Sequence, residues 1–145
     1  MRSDGRRLSD DSGSVSLELV IILPALLLIV GVLIFGGRLA LAHQSVEAAA
    51  AQAAREASIA RTQPVAASNA RAAAATSLQQ QGLQCATTSV MVNTAGFGSP
   101  AGTPASVSAT ITCVVALGDL AMPGVPGTRT VTATAISPLD TYRER

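Results

Sequence analysis

The apolar positions of this chain fall into two unlike patterns. Near the front they are continuous: residues 19–37 read LVIILPALLLIVGVLIFGG, nineteen residues without a charge. Toward the end they alternate: Val107, Ala109, Ile111, Cys113 and Val115 are interleaved with Ser108, Thr110, Thr112 and Val114. A continuous run of that length, as a helix, spans about 28 Å, close to the ~30 Å hydrocarbon core of a bilayer. A period of two marks a half-buried strand. A buried core helix is the other reading of the run, but the rest of the chain is too small and too Ala-rich to wrap it. Pro24 stands one turn into the run. It removes the bond to the carbonyl of Val20, which membrane helices tolerate better than isolated ones in water.

Beyond the run, Arg38 is followed by Ala, Gln, Glu and Arg, good helix formers, with no stop before Pro64. The membrane helix is therefore expected to continue as a stalk, with Gly36 and Gly37 as a hinge. Val46, Ala49, Ala50, Ala53, Ala57 and Ala60 fall on one helical face of small residues. That face packs either on another subunit or on the chain's own domain, and the pattern fits both. Glu47, Arg55, Glu56 and Arg61 form a solvated face. Pro64 opens a second helix through about Gln81, and Gly82 stops it. Residues 85–92, 107–115 and 129–136 read as strands, joined by Gly- and Pro-rich loops at 93–104 and 118–127. The expected fold class is α+β: one N-terminal transmembrane helix extending into a stalk, a second helix, then a small, mostly antiparallel three-stranded sheet packed on a helix. Residues 1–13 form a polar, disordered leader, 14–62 the transmembrane helix and stalk, and 63–145 a small extracytoplasmic domain.

Composition narrows the function. The chain has 145 residues, 13% of them charged, a net charge of +1 and a mean hydropathy of +0.41. All ten basic residues are Arg, and the aromatics are Phe35, Phe97 and Tyr142. These values exclude a highly charged disordered chain and a basic nucleic-acid binder. Arg2, Arg6 and Arg7 before the run, against Arg38 and Arg55 after it, favour a cytoplasmic N-terminus. The two cysteines, Cys85 and Cys113, both follow the run. In a small outer domain they read as a disulfide in an oxidising compartment; two free buried thiols are the alternative.

Glu18 stands immediately before the apolar run. As an isolated acid it would reach water at the bilayer edge, where its cost is below that at the centre. Gly13, four residues, Glu18 and then an unbroken apolar helix also form the pattern of a type IV prepilin-type signal. Cleavage after Gly13 would give Ser14 a new amine and make Glu18 the fifth residue of the mature chain. That carboxylate could pair with the amine of a neighbouring subunit and set the register between helices. A competing signal is Ala40-Leu41-Ala42, which has the form of an ordinary signal peptidase site with cleavage before His43. On that alternative the mature chain is a secreted or anchored extracytoplasmic binding domain.

Gly13-Ser14-Val15-Ser16-Leu17-Glu18, the apolar run through Pro24, then Phe35-Gly36-Gly37-Arg38 and the Ala-rich helix to Ala60 resemble the TadE-like family. These proteins are minor pseudopilins of tight-adherence (Flp-type) pilus systems. The resemblance implies a single-pass, pilin-like membrane subunit that takes part in pilus assembly. It implies a prepilin peptidase and other pilin-like subunits as partners. Gly13 and Ser14 then flank the cleavage site, and Glu18 is the assembly carboxylate. The C-terminal domain would lie outside the cell membrane, at the surface pilus or still anchored.

No catalytic constellation accompanies these features. His43 is the single histidine and has no Cys/His ligand set around it. Asp119 and Asp140 stand in or near loops without a paired acid or a histidine. No G-x-S-x-G motif appears, and Gly96-Phe97-Gly98 is not a phosphate loop because no G-K-[ST] follows. Phe97 reads either as an exposed contact or as a plug over the sheet. Tyr142, Arg143 and Arg145 form a polar tail. No enzyme activity, metal, cofactor, nucleic acid or small-molecule substrate is expected.

Overall fold

The computed structural model describes residues 12–116 and 127–142, with side chains from Glu18 onward. The expected leader up to residue 11, most of the loop at 118–127 with Asp119, and Arg143 and Arg145 lie outside the described residues. The chain divides into two compact units, Met1–Gly36 and Gly37–Arg145. Helix α1, Ser12–Ile59, contributes to both and carries Pro24 inside it. In the first unit, α1 is an apolar rod. Its large side chains between Leu19 and Ile34 are 44 to 70% exposed, with no protein packed over them.

The second unit begins with the rest of α1. That helix closes where the Ala60 N–H donates to the Ala57 carbonyl at 3.3 Å. Thr62 is extended (φ −132°, ψ 153°) and leads into α2, Gln63–Gln80, with Pro64 in its first turn. Pro costs nothing there, because the missing N–H has no helical acceptor. At the other end Gly82 takes φ +68°. The Gly82 N–H donates to Gln79 O and the Leu83 N–H to Leu78 O, both at 3.0 Å. This pair of bonds terminates the helix and satisfies carbonyls that would otherwise be orphaned. Both boundaries fall within one residue of the expected ones.

The sheet contains β1 (Cys85–Asn93), β2 (Ser106–Ala116) and β3 (Thr128–Pro138), in the order β1-β2-β3. Both pairings are antiparallel, with Ile111 opposite Val90 on one side and Ala133 on the other. Every second residue of β2, from Val107 to Val115, is buried. The opposite face is threonine-rich: Thr110 meets Thr134 at 2.9 Å and Thr112 meets Thr132 at 3.2 Å, hydroxyl to hydroxyl. The core comprises this inner sheet face, Ala66, Ala70, Ala74 and Leu78 of α2, and the small-residue face of α1. Val46, Ala49, Ala53 and Ala57 are fully buried. The stripe therefore packs on the chain's own domain, which decides between the two readings of it. The Ser137 hydroxyl donates to that of Ser58 at 3.0 Å, and Gln81 Nε2 donates to the Ser45 carbonyl at 3.3 Å. These bonds tie α1 to β3 and to the end of α2.

A 3-10 turn at Ala95–Gly98 connects β1 to β2 and buries Phe97, as the plug reading expects. It passes so close to the sheet that a Cβ on Gly96 would run into the Ser106 carbonyl oxygen. The obstacle is strand backbone, which cannot rotate away. Gly96→Ala is expected to cost about 1–3 kcal/mol, the usual penalty for overpacking. Urea unfolding of the detergent-solubilised chain checks this; an unchanged midpoint would contradict the close approach.

Candidate functional site

The described residues hold no group of three or more His, Cys, Asp or Glu placed to bind a metal. His43 is exposed on α1. Asp140 Oδ1 accepts a bond from the Tyr142 N–H at 3.0 Å, a local turn rather than a reactive carboxylate. The open groove between α1 and α2 is lined by Gln52, Glu56, Asn69, Thr76, Ser77 and Gln80, together with exposed alanines.

The residues that the sequence singles out, Gly13, Ser14 and Glu18, stand at the start of α1. Gly13 and Ser14 stand in its first turn. Glu18 comes one turn further on and is exposed. The rod follows directly: α1 is long and apolar enough to cross a membrane, and its most apolar stretch has no buried residue. An exposed apolar surface of this extent marks contact with lipid or with another apolar partner. The sequence places Gly13, Ser14 and Glu18 together by proximity along the helix.

The second unit supplies a covalent constraint. Cys85 and Cys113 form a disulfide, with their Cα atoms 5.4 Å apart. Cys113 lies opposite Thr88, and Cys85 opposite Val115, beside an irregularity in the β1 ladder between Cys85 and Thr87. The bond therefore runs diagonally between neighbouring strands. It removes the free-thiol alternative.

One feature escaped the sequence reading. Arg38, Leu41, Gln81, Leu83, Val115 and Ala116 line a groove at the end of the sheet where β2 finishes. Residues this far apart in the chain share no local pattern, so only the fold brings them together.

A helix long and apolar enough to cross a membrane, joined to a small disulfide-bonded α+β unit, is the class of protein that this fold defines. Within that class the family is specific: residues 13–55 match the family model described as TadE-like protein. The chain thus carries a TadE-like segment, in the family that the residues around Gly13 and Glu18 resemble. The match covers less than a third of the chain, and the sheet lies outside it. No curated protein and no solved structure matches the chain.

Proposed function

We propose that this chain is a TadE-like, pilin-like subunit that crosses the membrane once and takes part in assembling a tight-adherence pilus or a related secretion apparatus. The observation that carries the reading is the TadE-like match over 13–55, with Glu18 placed directly before an exposed apolar helix. The N-terminus faces the cytoplasm and the disulfide-bonded unit lies outside, where its bond persists. A prepilin peptidase cuts after Gly13, and the new amine of Ser14 pairs with the Glu18 carboxylate of a neighbouring subunit. Pairing removes two uncompensated charges from the lipid edge and holds adjacent helices in register. A cut before His43 would instead remove Ala42, which is buried in the core of the second unit. The role is structural, as the family suggests: the subunit is consumed by assembly rather than turning over a substrate.

The mass of the mature N-terminus tests the processing step. Cells with prepilin peptidase should yield a chain beginning at Ser14, and cells without it a chain that retains residues 1–13. An intact N-terminus in both would remove the cleavage step. Glu18→Ala tests the pairing. Breaking a desolvated charge pair costs on the order of 3–5 kcal/mol, so pilus assembly should fall by about a hundredfold or more. Membrane insertion should not fall, because removal of a charge eases it. Equal surface piliation in variant and wild type would exclude this role for Glu18.

A further inference from the structure

The groove at the end of the sheet has one cation in its lining and a second beside it, neither paired with a carboxylate among the described residues. Arg38 lines it, and Arg129 stands opposite Val115, another of its lining residues, in the β2–β3 ladder. Directly opposed residues of an antiparallel pair project from the same face. Arg129 therefore lies on the helix-facing side of the sheet, beside the groove. Both arginines are exposed, and among the described residues neither has a carboxylate partner. Leu41 adds an apolar side chain that is 63% exposed. Chain connectivity fixes where this arrangement lies. The uncharged run ends at Gly37, so Arg38 and Leu41 follow it within about one helical turn.

We propose that the groove seats the phosphate of an acidic phospholipid headgroup, from the leaflet in which the apolar helix ends. Arg38 and Arg129 donate to the phosphate oxygens, and Leu41 lies against the top of the acyl chains. The inference rests on the membrane-spanning reading of residues 19–37. Guanidinium groups suit the role because they present several donors in a fixed plane to a phosphate, and their stems tolerate an apolar boundary. The contact would hold the disulfide-bonded unit to the bilayer surface before assembly and release it when the subunit leaves the membrane.

Native mass spectrometry of the full chain, released from nanodiscs with equal phosphatidylglycerol and phosphatidylcholine, tests this. Each arginine near an anionic surface is worth about fivefold in binding. The wild-type chain should therefore retain phosphatidylglycerol over phosphatidylcholine by on the order of tenfold. Arg38→Gln with Arg129→Gln should bring that ratio to about one, and Arg38→Lys with Arg129→Lys should keep most of it. Disulfide formation in each variant reports that the unit has folded. A wild-type ratio near one, or an undiminished ratio in the folded double Gln variant, overturns the headgroup site while leaving the anchor in place. Failure of the wild-type chain to enter nanodiscs at all overturns the spanning reading, and the headgroup site with it.

Discussion

Cys85→Ser is expected to lower the stability of the disulfide-bonded unit by roughly 3–4 kcal/mol, on the chain-entropy account of a closed loop of this length. The two cysteines are 28 residues apart, and the bond joins β1 to β2. Its weight comes from how little else the core contains. The largest fully buried side chains are Ile111, Val46, Val107, Val131 and Cys113, and most of the remaining core is alanine. A buried methylene contributes only about 0.8 kcal/mol, so alanine faces bring elements close together without adding much apolar burial. Domains of this size are commonly stable by only about 5–15 kcal/mol, and the bond is a large share of that. The measurement is protease resistance of the full chain under oxidising conditions, with and without reductant. Wild type should lose resistance on reduction, and Cys85→Ser should start at the reduced level and not respond. Equal resistance of variant and oxidised wild type would mean that packing alone holds the sheet.

The same alanine faces show where the sequence was legible and where it was not. The alternation of Val107, Ala109, Ile111, Cys113 and Val115 located β2 because each residue's side is set by the residue before it. Pro64 and Gly82 bounded α2 because both act through their own backbone: one lacks a donor, the other takes φ +68°. The helical spacing of Val46, Ala49, Ala53 and Ala57 identified a shared face but not its partner. A period shows which residues lie together, and only the tertiary fold shows what covers them. The close approach at Gly96 and the groove shared by Arg38 and Val115 were illegible for the same reason, since each depends on segments far apart in the chain. At the candidate site the balance is different. Gly13, Ser14 and Glu18 are neighbours on one helix, so the proposed processing and pairing residues can be read together from the sequence. Its proposed counterpart is a second subunit, which the sequence of one chain does not describe.

Leu28→Arg is expected to reduce membrane insertion by on the order of a hundredfold. Leu28 stands at the middle of residues 19–37 and is 58% exposed. A helix spanning the bilayer would place it about 14 Å from either end of the run, too far for the side chain to reach water freely. An arginine at that depth costs about 2.5–3.5 kcal/mol on insertion scales, and this corresponds to the stated factor. Carbonate extraction of membranes measures the effect: the wild-type chain should stay in the pellet, and the variant should shift to the supernatant. Purified and oxidised in vitro, the second unit of the variant should show the wild-type disulfide and protease resistance, because residues 37–145 form a compact unit of their own. That second readout separates lipid contact from burial in protein. If residues 19–37 instead filled the interior of a soluble assembly, a buried arginine would disrupt folding or association rather than partition between membrane and solution. Glu18→Ala, on the same helix, should leave extraction unchanged and lose assembly. On the proposed function, the two substitutions divide the work of α1: the rod would hold the subunit in lipid, and the acid at its entrance would pair with a neighbour. Retention of Leu28→Arg in the pellet at the wild-type level would remove the lipid-spanning role from the rod.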